Sequence, residues 1–482
     1  MAIKDPTALL KRLCSLPEAG WLEFKENNAD PDIVGRTLAA LANSAMLEDR
    51  ERAYLVFGVQ DVTKRLVGTS ISLSERKVGG EDFLNWLTRM LEPRLLIECH
   101  EFECEGLNFT VLMIEPTFER PVAFSGTEYL RIGANVKKLR EFPNHERSLW
   151  LATSRRKFEQ SVAASNQSAA VIGQTLDVES YYGLLNLEVP SQQAEVLRRL
   201  CSDGLLEDDM EGGFHITNLG AILIARSLKD FPTVHGKSVR VIKYSGRDKQ
   251  RSEFEQEGTK GYAVGFSRMM RFLMERIPKE ERYTNGVRRS VPLCPEIALR
   301  EVIANALIHQ DFTAAAGGPV VEVYADRIEV TNPGGSLVEP DRMIDDRRSR
   351  NEKLASVMRM LGICEERGGG LDKTLIALES DHLPAPELSS SPHTMRVVLF
   401  GPKPFSSLSR ADKQQACYYH CVIKWLARDF MNNMSLRERF SLMQDEYQSA
   451  SSVITEAVRA GRIKPAEEKQ GKKNARYVPY WA

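Results

Sequence analysis

The sequence predicts a multidomain α/β (α+β) protein. Three observations carry this expectation. The chain has 482 residues, beyond the ~200–250 that a single core supports. Strand-like apolar runs alternate with helical patterns in two separate stretches, and glycine-rich turns punctuate the second of them. Length alone suggests roughly three domains, and the pattern resolves into blocks at 10–150, 177–235, 236–402 and 405–482.

In the first block, helical spacing from Asp32 to Met46 precedes the apolar run Ala53–Val59, which suits a buried strand. A helix (81–90), two strands (95–102 and 109–115) and a half-exposed strand (128–133) follow. The polar, small-residue stretch 158–176 reads as a connector. In 177–235 two helices lead to Gly212-Gly-Phe-His-Ile-Thr-Asn-Leu-Gly220, a hairpin feeding another helix, in the order of a small winged helix. Block 236–402 alternates strands and helices around Asn332-Pro-Gly-Gly335 and Arg367-Gly-Gly-Gly370, and its Ser-rich piece from Leu388 reads as a loop. The tail has helices broken at Asn432–Asn433 and Gly461. It resembles a winged helix, with 448–454 as recognition helix and 469–479 as wing.

Composition excludes several classes. With 42% hydrophobic and 27% charged residues the chain is neither disordered nor collagen-like. No window approaches the ~18 apolar residues of a membrane span. Asp5, Lys11 and Arg12 occupy the place where a signal peptide needs its apolar core. Eight cysteines scattered from Cys14 to Cys421 do not form a disulfide framework, so a reducing cytoplasm is expected. The formal charge of −1 is a cancellation. Residues 17–61 hold nine acids and four bases, whereas 120–160, 236–252 and the tail from 405 are each +5. Local contact with a phosphate backbone is therefore compatible with near neutrality.

The acidic segment contains Glu18, Glu23 and Lys25, with Asp61 after the apolar strand. Carboxylate oxygens suit a hard divalent cation, Mg or Mn, and a lysine offsets phosphate charge, which is the chemistry of phosphodiester cleavage. Solvated carboxylates near strand ends are the plainer alternative. The combination Glu18-x4-Glu23-Phe-Lys25, Tyr54-Leu-Val-Phe-Gly58-Val-Gln-Asp61 and Glu128-Tyr-Leu-Arg131-Ile-Gly133 resembles the Schlafen/AlbA-like domain over about 10–150. Active nucleases of that family carry two glutamates five apart and an aspartate at the end of the Gly-Val strand. The resemblance implies a metal-dependent nuclease with Glu18, Glu23 and Asp61 on the metal and Lys25 on the scissile phosphate. It also implies structured RNA, tRNA in particular, as substrate, in phage defence or stress-induced shutdown of translation. Gln60 departs from the acidic residue frequent there. Arg131, Lys137 and Lys138, with Arg140, are the expected backbone contacts, or else a solvated charge run.

In the third block Glu301, Asn305 and His309 recur every four residues and so share one helix face. The stretch resembles the N-box of GHKL-type ATPases, which implies that Asn305 holds a Mg bridging nucleotide phosphates and that Glu301 orients water. Asn332, Gly334 and Gly335, then Gly368, Gly369 and Gly370 at a helix start, permit close backbone approach to ATP and phosphate binding by amides. Residues 177–400 resemble bacterial proteins described as RecG-like and ATP-binding, although no GxxxxGK[ST] motif is present. Asn332 stands where typical GHKL proteins have an aspartate that reads the adenine amino group.

On the tail, Lys472, Lys473 and Arg476 are expected on nucleic acid. Cys417, His420 and Cys421, at helical spacing, are expected to pack rather than to bind zinc. Association into a homodimer or higher oligomer is expected by resemblance alone. Two other functions fit the same sequence: a non-catalytic ATP-responsive DNA-binding regulator, and an ATPase that remodels a partner.

Overall fold

A computed structural model describes the chain except residues 1–4, 17–18, 49, 51, 117–119, 154–157, 211, 285–286, 315–316, 345–347, 365–369, 468–470 and 472–474. It is a mixed α+β architecture in two compact units. The first comprises Met1–Ser161, Ser165–Ser168 and Glu207–His215; the second comprises Val162–Ala164, Ala169–Leu206 and Ile216–Ala482.

The first unit is built on two four-stranded sheets. In one, Leu22–Lys25 pairs parallel with Ala53–Phe57, followed by antiparallel Leu107–Glu115 and Leu96–Cys104. All of Ala53–Phe57 is buried, as its uninterrupted apolar run requires of a central strand. The second sheet orders Asn135–Lys138, Thr127–Ile132, Ala123–Phe124 and Leu91–Glu92.

The helix Pro31–Leu47 begins at an Asp30 side-chain cap with proline at its first position. Its small residues admit close neighbours. A Cβ on Gly35 would lie 2.1 Å from the Phe124 ring. Fully buried Asn43 donates to the carbonyls of Val122 and Tyr129 and accepts from the Val122 amide, so every polar atom of its side chain is used.

In the second unit, helices Val178–Leu184, Gln193–Ser202 and Asn218–Ile224 precede a six-stranded sheet. The sheet order is Ser252–Glu257, Arg240–Tyr244, Val320–Val323, Arg327–Pro333, Thr394–Phe400 and Glu387–Ser390, with only Arg240–Tyr244 and Val320–Val323 parallel. The helix Glu296–His309 packs on Arg327–Pro333 and on the helix Gly370–Ser380. The C-terminal module is the order helix, helix, helix, hairpin: Arg410–Leu426, Asn433–Arg439, Tyr447–Arg459, then Ile463–Pro465 against Tyr477–Pro479.

Two expectations about elements are corrected. The connector 158–176 contains the strand Val162–Gln167 and the helix Ala169–Thr175. The loop expected from Leu388 is the edge strand Glu387–Ser390, whose hydrogen bonds go to Thr394–Phe400. Neither has the apolar periodicity that marks a strand in sequence. Asn432 is less a break than a start: its side chain accepts from the Ser435 amide, and Ser435 reciprocates in a capping box. All eight cysteines are free. Among the described residues no helix is long and apolar enough to cross a membrane.

Candidate nucleic-acid and nucleotide sites

The strand Leu22–Lys25 alternates buried and half-buried residues, so Leu22 and Phe24 face the core while Glu23 and Lys25 face the other way. Lys25 Nζ lies 3.2 Å from Glu23 Oε1, and Arg131 Nη1 lies 2.6 Å from Glu23 Oε2. Arg131 Nη1 also donates to the Leu22 carbonyl at 2.6 Å, and its backbone N–H donates to Ser44 Oγ. The Arg131 side chain is 2% exposed. This corrects its expected place on a phosphate backbone: its strand position faces inward, where it neutralises Glu23. Lys137, in contrast, is exposed, and Lys138 is half-buried beside it on Asn135–Lys138.

The parallel register places Lys25 opposite Phe57, and the Gly58 amide donates to the Lys25 carbonyl at 2.8 Å. Gly58 turns the chain at φ +98°, a region that favours glycine, and a Cβ there would sit 2.8 Å from the Phe109 ring. Asp61 follows in that turn with its side chain 45% exposed, 3.4 Å from Lys64 Nζ. Lys64 in turn lies 4.1 Å over the Phe24 ring, on the core-facing side of the strand. Glu23 and Asp61 are thus held by different cations. Among the described residues no group of three metal-ligating side chains converges; Glu18 lies outside the described residues.

In the second unit Glu301 is buried and Asn305 half-buried on one face of Glu296–His309. Gly370, the first residue of its helix, meets that face. A Cβ on Gly370 would lie 2.6 Å from Glu301 Oε2 and 3.6 Å from Asn305 Nδ2. The structure therefore brings Glu301, Asn305 and Gly370 together. Gly368 and Gly369 fall outside the described residues.

Asn332 is buried, and its amide donates to the Pro333 carbonyl at 3.2 Å. That donor is turned onto its own loop. Gly334 has φ +88°, and a Cβ there would lie 2.4 Å from Arg350 Nη1 and 2.6 Å from Asp311 Cβ. One on Gly335 would lie 2.1 Å from the Ser391 carbonyl oxygen. Arg350 was not foreseen from sequence. Its Nη1 donates to the His309 carbonyl at 3.4 Å and its Nη2 to the Gly335 carbonyl at 3.3 Å, tying the glycine loop to the end of the Glu296–His309 helix. The signal available was a cation, in Arg348-Ser-Arg350-Asn351, placed between the two glycine segments.

Burial, reinforced by the Arg350 charge, pushes His309 down from 6.5 to about 4. The imidazole is therefore neutral at pH 7 and offers no cation to a phosphate. Because the folded value is depressed, the unfolded chain takes up a proton between pH 6.5 and 4 that the folded chain refuses. This contribution to stability is intact above pH 6.5 and falls as pH drops towards 4, by at most about 3 kcal/mol. His309→Asn is expected to remove that part of the slope, read as the difference in urea midpoints between pH 4.5 and 7 in variant and wild type.

In the tail, Arg476 is exposed, with its guanidinium 5.5 Å from the Phe430 ring centre, while Lys472 and Lys473 lie outside the described residues. Cys417 and Cys421 are buried, and His420 bonds Glu379 through Nδ1 (2.9 Å) and Ser435 through Nε2 (3.0 Å).

Residues 18–140 match the family model described as Schlafen, AlbA_2, and residues 317–399 match the model described as putative ATP-dependent DNA helicase recG C-terminal. Glu23, Lys25, Asp61 and Lys137 fall inside the first span; Asn332, Gly334 and Gly370 fall inside the second, whereas the helix bearing Glu301 and Asn305 precedes it. Among solved structures, the DIP2311 protein from Corynebacterium diphtheriae is 16% identical, covering 98% of this chain and 96% of that one at a TM-score of 0.42. The N-terminal domain of a putative ATP-dependent DNA helicase RecG-related protein from Nitrosomonas europaea is 22% identical over 27% of this chain and 89% of that one, at a TM-score of 0.18. No curated protein matches the chain.

Proposed function

We propose that this chain, which matches the Schlafen, AlbA_2 model at 18–140 and the recG C-terminal model at 317–399, is a cytoplasmic, metal-dependent nuclease for structured RNA, tRNA foremost, under the control of a nucleotide-binding module. The observation that supports the proposal is the placement of Glu23 and Lys25 on one strand face, on a strand whose Lys25 carbonyl accepts from the Gly58 amide three residues before Asp61. The Glu23 and Asp61 carboxylates are hard oxygen donors, suited to Mg or Mn, with Glu18 as the third ligand by resemblance. Bound metal supplies Lewis acidity and an activated water. Lys25, 3.2 Å from a Glu23 oxygen, would offset the charge of a substrate phosphate there. Lys137 and Lys138 are assigned to backbone contacts in the first unit, and Lys472, Lys473 and Arg476 to contacts of their own on the tail.

The nucleotide module is read the same way. Glu301 and Asn305 are assigned to Mg·ATP and the amides at Gly370 to phosphate, with the Gly334–Gly335 loop against the base or ribose. A role in phage defence or stress response, and assembly as a homodimer or larger oligomer, belong to this reading.

A second reading has its own support. Arg131 occupies Glu23 as a structural ion pair and Lys64 occupies Asp61, as they would in a non-catalytic ATP-responsive DNA-binding regulator. Incubating the protein with total tRNA or a DNA duplex, with and without Mn²⁺ and ATP, separates the two. Mn²⁺-dependent fragments of tRNA support the nuclease. Retention of an intact duplex without fragments under any condition supports the regulator and overturns the nuclease.

A further inference from the structure

The two segments that flank the candidate nucleotide site do not end there. Both run into the C-terminal module. Seven residues beyond Gly334, Asp341 is gripped by Arg462 with Nη1 2.9 Å from Oδ2 and Nη2 3.0 Å from Oδ1, a two-pronged pairing that fixes orientation as well as distance. The Asp341 carbonyl accepts from Tyr418 Oη at 2.7 Å, Arg462 also donates to Gln415 at 2.6 Å, and Arg342 stacks 4.8 Å over Trp481. Ile344 is buried in the same apolar cluster as Cys417, Tyr418 and Ile454.

The second segment is the helix Gly370–Ser380. Its first residue lies against Glu301 and Asn305, and its eleven residues span roughly 15 Å. At its far end Glu379 Oε2 meets His420 Nδ1 at 2.9 Å, and Glu379 Oε1 lies 3.3 Å from Arg439 Nε. His420 and Arg439 are buried, and Arg439 also donates to the Leu383 carbonyl at 2.6 Å. Between the two ends, Leu375 is buried in the C-terminal cluster and Leu371 packs against it. A helix rigidly seated in one core cannot move at its start without moving that core or breaking the buried ion pairs at its end.

We infer that the C-terminal helix–hairpin module is a nucleotide-responsive element. A nucleoside triphosphate that draws the Gly334 loop and the Gly370 helix start together acts on the module through the Asp341–Arg462 clasp and the Glu379–His420–Arg439 cluster. The inference rests on the nucleotide-binding reading of the Glu301/Asn305 site. It adds a direction of control: occupancy of that site sets the rigidity of the module whose exposed helix face, with Gln448, Ser451, Ser452 and Thr455, is offered to nucleic acid. By reciprocity, whatever the module binds changes nucleotide affinity by the same factor.

Hydrogen exchange of the full chain, with and without the Mg²⁺ complex of a non-hydrolysable ATP analogue, tests this. In the wild type the analogue is expected to slow amide exchange in 410–426 and 433–439 on the order of tenfold. Asp341→Asn and Arg462→Lys keep the side-chain volume and lose the two-pronged pairing. Both are expected to bind the analogue in calorimetry while losing most of that slowing, with unchanged exchange in 240–244, an inner strand of the sheet in the same unit, showing that the variants are folded. Calorimetric binding to the wild type with no change in 410–439 overturns the coupling alone, and so does full slowing in both variants. No calorimetric binding to the wild type overturns the nucleotide reading and the coupling with it.

Discussion

Replacing Arg131 by methionine is expected to destabilise the N-terminal unit by about 3–5 kcal/mol. The side chain is 2% exposed and its Nη1 serves both Glu23 Oε2 and the Leu22 carbonyl. Removing the guanidinium leaves a Glu23 carboxylate that is itself only 12% exposed, with Lys25 on its other oxygen. It also strips the Leu22 carbonyl of its side-chain donor. Arg131→Lys keeps the charge and loses the rigid fork, so its cost is expected to be smaller, roughly 1–2 kcal/mol. Urea denaturation of the three proteins measures both. A methionine variant that unfolds at the wild-type midpoint shows that the buried pair contributes nothing to stability.

Asp61→Asn is expected to have the opposite profile. The residue lies half-exposed in a turn, its carboxylate touching Lys64 at 3.4 Å, so stability is expected to stay within about 0.5 kcal/mol of wild type. If the proposed nuclease reading holds, loss of this carboxylate is expected to lower Mn²⁺-dependent cleavage by at least about 10²-fold. Glu23→Gln is expected to lose activity similarly and also some stability, because Arg131 and Lys25 then face a neutral amide. The pair of variants separates a proposed ligand that packs from one that does not. Equal cleavage rates in Asp61→Asn and wild type remove Asp61 from the site.

The sequence made some of this legible and hid the rest for identifiable reasons. The run Ala53–Phe57 was readable because a strand buried on both faces has no room for polar residues. Spacing put Glu301 and Asn305 on one helix face, and the structure brings that face to Gly370. Arg131 was readable as a cation on a half-exposed strand, but not as the partner of Glu23. Alternation assigns a face and cannot name what lies across it, here a strand more than a hundred residues earlier. The Leu388 strand is an edge strand, held by hydrogen bonds to one neighbour, and a backbone ladder leaves little mark on side-chain pattern. Arg350 escaped for a related reason. Its acceptors are backbone carbonyls, His309 and Gly335, which every residue possesses.

On the nuclease reading, Glu23 and Asp61 share a divalent cation. Titration of Mn²⁺ into the wild type, Glu23→Gln and Asp61→Asn, followed by the loss of the free-ion electron paramagnetic resonance signal, tests it without reference to any substrate. Binding at the N-terminal unit by the wild type, and its loss in both variants with the unit still folded, is the expected result. Undiminished Mn²⁺ binding in both variants, or no binding by the wild type, contradicts the claim.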